Sequence, residues 1–134
     1  MIKLESLKKS NHFKLALKEK KVHSESFSVF AAKNFLPKKN KNTLMISFVM
    51  KKKIGNAVKR NKIRRKLRAI VNNLLKIRGA ININYTYIVF GKSKAYETNH
   101  DQLFSEMQRN YITMFVNTWV FVKNDTWEKW TNKK

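Results

Sequence analysis

Two periods of apolar spacing alternate along this chain. Residues 26–32, SFSVFAA, run on a period of two, as a strand requires. Phe27, Val29 and Ala31 take one face; Ser28, Phe30 and Ala32 take the other. Residues 43–50, TLMISFVM, read as a second strand. Residues 84–90, NYTYIVF, read as a third, and their β-branched and aromatic side chains suit an interior strand. Between the second and third strands the spacing becomes helical. Ile63, Leu67, Ile70 and Leu74 form an apolar stripe that Val71 and Leu75 widen. That helix is expected to start from Asn56 as N-cap, after Gly55, and to reach Leu75 or Lys76, with Gly79 ending the region.

A shorter helix, capped by Ser10 or Asn11, places Phe13, Ala16 and Leu17 on one side, with Lys14, Lys18, Lys20 and Lys21 around the rest. A last helix, capped by Thr98 or Asn99, carries Leu103, Phe104, Met107, Tyr111, Met114 and Phe115. Residues 1–9 are basic and predict no regular element. The breaker-rich loop 37–42, PKKNKN, predicts an antiparallel pair between the first two strands. The long helix between the second and third strands predicts a parallel β-α-β unit. Residues 118–134 hold Trp119, Trp127 and Trp130 and read either as packing back on the domain or as an accessory contact.

Composition adds a partner. The 134 residues make one domain, and a hydrophobic share of 43% is globular. The formal net charge of +22 favours contact with a polyanion. The chain is also rich in Asn and Ile, a bias that inflates Lys, so arginine placement is the better witness. Arg60, Arg64, Arg65 and Arg68 all fall in residues 51–68, KKKIGNAVKRNKIRRKLR, which contain no acidic residue. Arg60, Arg64 and Arg68 are spaced to share one helical ridge. Guanidinium groups grip phosphate bidentately and stack on bases. Phe13 and Phe30 read either as stacking platforms beside this helix, which favours RNA over DNA, or as core.

Other chemistry is sparse. There is no Cys, and His12, His23 and His100 do not stand at metal-ligand spacing. The acidic residues are scattered, without a close pair for acid/base work or a metal cage. No apolar run has the length of a signal peptide or a membrane span, so a cytoplasmic protein without membrane contact is the expectation.

Residues 51–68 resemble the signature of the bacterial ribonuclease P protein component: a Lys, a Gly, an Ala-Val pair, an Arg-Asn pair, then basic residues to a final Arg. The matching positions are Lys53, Gly55, Ala57, Val58, Arg60, Asn61, Lys62, Arg64, Arg65 and Arg68. The resemblance spans roughly residues 4–116 and implies an α+β fold. That fold is a two-layer α/β sandwich similar to the second domain of a ribosomal protein, with about four strands and a left-handed β-α-β crossover. It implies a single RNA-binding domain over residues 1–117, with 118–134 as an extension. It implies a subunit of the ribonucleoprotein endonuclease that removes the 5′ leader from precursor tRNA. It implies that hydrolysis belongs to the RNA subunit with Mg²⁺ and that the protein would supply no catalytic residue, metal site or cofactor of its own. Ribonuclease P RNA would be bound by Lys52, Lys53, Asn56, Lys59, Arg60, Asn61, Lys62, Arg64, Arg65 and Arg68. The leader would lie in a cleft matched by Phe13, Leu17 and Phe30, where Leu17 replaces a frequent aromatic and Phe30 a frequent Tyr. A ribosomal protein is the alternative that composition leaves open. A free-standing nuclease is a third, disfavoured by the scattered carboxylates.

Overall fold

The computed structural model describes residues 2–36, 42–77 and 81–110. Its centre is a mixed five-stranded sheet in the order β1-β4-β5-β3-β2. The strands are β1 (Lys3–Glu5), β2 (Lys20–His23), β3 (Phe27–Lys33), β4 (Thr43–Val49) and β5 (Tyr85–Gly91). Helix α1 (Ser10–Ala16) lies between β1 and β2 in the chain, and α2 (Ala57–Leu75) between β4 and β5. A third helix, α3, starts at residue 100 and continues to 110, where the described residues end.

β5 takes the middle because it is apolar on both faces. Tyr85, Tyr87 and Val89 join the main core, while Ile88 and Phe90 belong to the opposite face. β5 pairs parallel with β4 and antiparallel with β3. The parallel β4-α2-β5 unit is thus as the pattern requires. The expected pairing of residues 26–32 with 43–50 is not: β5 lies between those two strands. A short loop between two runs favours a hairpin, but burying both faces of β5 decides the order.

Two further strands were not legible. β1 pairs parallel with β4, although residues 1–9 predicted no element. Ile2 and Leu4 pack against the main core, Leu7 is buried, and its backbone N–H donates to Ser47 Oγ at 2.9 Å. β2 pairs antiparallel with β3 and contains Lys20 and Lys21, which the helical reading had placed around α1. α1 stops at Ala16, with Leu17 as its C-cap. Its N-cap is Lys9 and carries no side-chain bond, so neither Ser10 nor Asn11 caps it. Lysines on an edge strand discourage pairing with another chain.

The sheet has a thick side and a thin side. On the thick side Ile63, Leu67, Ile70, Val71 and Leu74 of α2 are buried with Leu103 and Met107 of α3 over Phe27, Val29, Leu44 and Ile46. Burying each such side chain contributes about 1.5–3 kcal/mol. Asn56 caps α2 as expected, its Oδ1 accepting from the Lys59 N–H at 2.9 Å. Asn99 does the same for α3 with the Gln102 N–H at 2.8 Å. On the thin side Leu7, Ala16 and Ile88 form a small cluster with Phe13, Phe30 and Phe90. Loop residues 37–41, Gly79 and the tail 118–134 lie outside the described residues.

Gly91, at the end of β5, lets the strand approach the main core closely. A Cβ there would run into Met50, which leaves β4, and would meet Ile63 Cγ2 of α2 at 2.9 Å. Only a residue without a side chain lets strand, helix and Met50 close up. Gly91→Ala should therefore destabilise the fold by about 1–3 kcal/mol, the usual cost of overpacking. Denaturant melts of the two proteins check this, and an unchanged midpoint would mean that Met50 moves aside freely.

Candidate nucleic-acid interface

The cations of residues 51–68 do not act as one surface, because the helix distributes them over several neighbourhoods. Arg64, Arg65 and Arg68 line an open groove of about 530 Å³ together with Val58 and Asn61. Arg64 Nη1 donates to Asn61 Oδ1 at 2.7 Å, which fixes one guanidinium along the groove. The Arg68 guanidinium lies 5.7 Å from the ring of Phe48, a position from which the ring face orients the cation. Arg60 departs from the expected ridge. It is half-buried, and its Nε is buried without a hydrogen-bond partner among the described residues.

The other flank of α2 serves the fold. Lys66 Nζ donates to the carbonyl oxygens of Tyr96 and Thr98, at 2.9 and 2.6 Å, and so ties down the turn that leads into α3. Burial pushes the Lys66 pKa down, and neighbouring Lys62 adds to the effect. Lys59 Nζ donates to Ser93 Oγ at 2.9 Å and lies 5.3 Å from the Tyr96 ring. Lys62 lies 4.6 Å from the same ring. Asn56 is committed to capping. Sequence reasoning placed Lys59, Lys62 and Asn56 with the RNA contacts and gave Lys66 none. The partner that sorts these roles, Tyr96, is thirty residues beyond Lys66.

Among the described residues, none of these cations is matched by a carboxylate. Among the described residues the ion pairs are Lys94–Glu25 and His100–Asp101. The first lowers the Glu25 pKa and raises that of Lys94, mainly through their shared hydrogen bond. Within those residues the charge of the basic helix has no carboxylate to offset it.

A second concavity, of about 550 Å³, opens where the thin side of the sheet meets the segment entering α2. Its walls are Lys51, Lys53 and Ile54, from the 3-10 turn and its approach, facing Phe30 and Phe90 on the strands. The two phenylalanine rings stand 5.4 Å apart and nearly perpendicular. His23, Ser28, Lys92 and Ser93 add polar lining; Lys92 Nζ donates to the Ser24 carbonyl oxygen and Ser93 Oγ accepts from Lys59. Of the three expected cleft residues, Phe30 lines this space. Phe13 sits in the small cluster on the same face, half-buried. Leu17 is 37% exposed at the end of α1 and does not contribute to the lining. Lys52 is exposed in the 3-10 turn. His23, Ser28 and Phe90 were missed. The alternation of β3 and β5 signals Ser28 and Phe90, but His23 needs the β2–β3 register.

A helix with a dry face and a cationic groove, beside an aromatic cleft walled by the same segment, suits RNA. A profile of the ribonuclease P family matches residues 1–114. The chain belongs to the ribonuclease P protein family. A Mesoplasma florum protein described as ribonuclease P protein component is 26% identical over 104 residues, 77% of this chain and 88% of that protein. The RNase P protein of Thermotoga maritima superposes with a TM-score of 0.58 at 26% identity, covering 78% of this chain and 96% of its own. The RNase P protein of Staphylococcus aureus gives a TM-score of 0.61 at 24% identity over 78% and 90% of the two chains, a likeness of fold. Family membership places the chain in tRNA 5′ processing, in association with ribonuclease P RNA.

Lys66→Met keeps the aliphatic stem and removes the donor to two carbonyls. It should lower stability by about 1 kcal/mol, a charge-assisted bond discounted for partial exposure. A melt of the free protein measures this. No loss would mean that water replaces the ammonium without cost.

Proposed function

We propose that this protein grips ribonuclease P RNA through the groove of α2 and holds the 5′ leader of precursor tRNA in the cleft of Phe30 and Phe90. The observation that carries the reading is the docked, carboxylate-free helix. Buried aliphatic side chains fix one face, while Arg64, Arg65 and Arg68 stand together on the other. Phosphate binding releases counterions and relieves the mutual repulsion of those groups. The cleft has the complementary makeup for a single strand: aromatic rings against which a base can stack and exposed lysines, Lys51 and Lys53, for its phosphates.

Hydrolysis on this reading belongs to the RNA subunit and its Mg²⁺. An enzyme that cleaves phosphodiesters with side chains needs carboxylates gathered to hold metal, or a positioned acid and base. Among the described residues no three His, Cys, Asp or Glu side chains lie together. The protein's contribution is positioning: it extends the RNA enzyme's contact from the tRNA body to the leader.

Two outcomes follow. Arg64→Ala combined with Arg68→Ala should weaken binding to ribonuclease P RNA far more than Lys38→Ala combined with Lys39→Ala. Each lost phosphate contact should also reduce the log–log salt slope by about 0.7–0.9. Equal effects from the two pairs, in binding curves at several salt concentrations, would reduce the groove to generic charge. The purified protein alone, verified free of RNA, should not cleave precursor tRNA at any Mg²⁺ concentration. Cleavage by that preparation would place an active site on the protein.

A further inference from the structure

We infer that His23, oriented by Ser28, reads the edge of one leader base in the cleft and so gives this protein a leader preference. The inference rests on the leader reading above and adds to it a specificity-determining residue that the motif does not contain. β2 and β3 pair His23 directly opposite Ser28. Ser28 is 5% exposed, and its Oγ lies 2.6 Å from His23 Nδ1. That short bond sets the imidazole plane. The ring stands with its edge to Phe30, centroids 6.0 Å apart and planes at 85°. His23 itself is exposed and borders the cleft.

The arrangement divides the labour of recognition. The rings of Phe30 and Phe90 accept any base, because every base has a π-face. Lys51 and Lys53 accept any phosphate. Neither contact distinguishes one nucleotide from another. Hydrogen bonding to a base edge does, and it needs a polar atom held at a defined angle beside the stack. Both phenylalanines lack such an atom. His23 has one to spare. With Nδ1 engaged by Ser28, Nε2 is the nitrogen left for a ligand, and among the described residues nothing else is bonded to it. The Ser28 bond also sets its role. If the hydroxyl donates to Nδ1, Nε2 carries the proton and donates to a base acceptor; the reverse tautomer accepts.

The test uses the holoenzyme, reconstituted with ribonuclease P RNA, and equilibrium binding of precursor tRNAs. Each carries one of the four bases at a single leader position, scanned along the leader, with leaderless tRNA as the reference. The wild-type protein should separate the four bases at one position by roughly 3- to 10-fold, the worth of one net hydrogen bond. His23→Phe keeps a flat ring against Phe30 and removes the nitrogens. It should compress that spread to about twofold or less. Ser28→Ala leaves the imidazole in place but unoriented, and it should compress the spread part-way. It also tests the idea independently if His23→Phe folds poorly, which melts of both variants reveal. A spread that persists undiminished in both variants overturns the assignment to His23, while leader-dependent affinity still stands. No spread at any position in the wild type also overturns it. Equal wild-type affinity for leadered and leaderless tRNA overturns the leader reading itself and this inference with it.

Discussion

Five aliphatic side chains hold down the most highly charged segment of this protein. Ile63, Leu67, Ile70, Val71 and Leu74 put one face of α2 into the core, and everything the helix offers to RNA depends on that anchorage. Without it, a run of lysines and arginines would repel itself into an extended tail, and its guanidinium groups would have no fixed spacing. With it, Arg64, Arg65 and Arg68 sit on a rigid rod whose rotation is set from below. The buried stripe also explains why a helix so basic tolerates no carboxylate on its outer face. Compaction is secured by burial, so internal ion pairs are not needed for it, and the outer face is left to bind.

The same anchorage builds the cleft. The turn that carries Lys53 is the entry to α2, so fixing the helix fixes the wall that faces Phe30 and Phe90. Gly91 then closes β5 against Met50 and Ile63. Groove and cleft are parts of one packed body, and on the proposed reading an RNA held in the first would stand at a set distance from a strand held in the second.

Legibility in the sequence followed the strength of local patterns. α2 was plain because an apolar stripe of helical period coincides with a cap and a charge run. β3, β4 and β5 were plain because each is a seven-residue apolar or alternating run. β1 and β2 have three and four residues, mostly charged, and they exist only because a neighbouring strand offers unpaired backbone. The order of the strands was not local either, since it follows from which strand must be covered on both faces. At the site, residue type identified the cations but not their tasks. Arg60 turns inward, Lys66 clamps the turn before α3, and Lys59 and Lys62 crowd Tyr96. Those divisions depend on contacts across thirty residues and more. The polar half of the cleft depends on the register that sets His23 opposite Ser28.

Among the described residues no carboxylate pairs with a cation of α2, and on the proposed reading this would link the protein's persistence to its RNA. A ligand that binds the folded chain stabilises it by an amount that grows with ligand concentration. Here an RNA bound along α2 would also relieve the mutual repulsion of its cations. Copies made in excess of the RNA would therefore be the weakest in the population, the quickest to open and the first exposed to proteolysis. On the proposed reading, a surface shaped for binding would thus act as a stoichiometric control. The amount of protein that survives would then follow the amount of RNA available to shelter it.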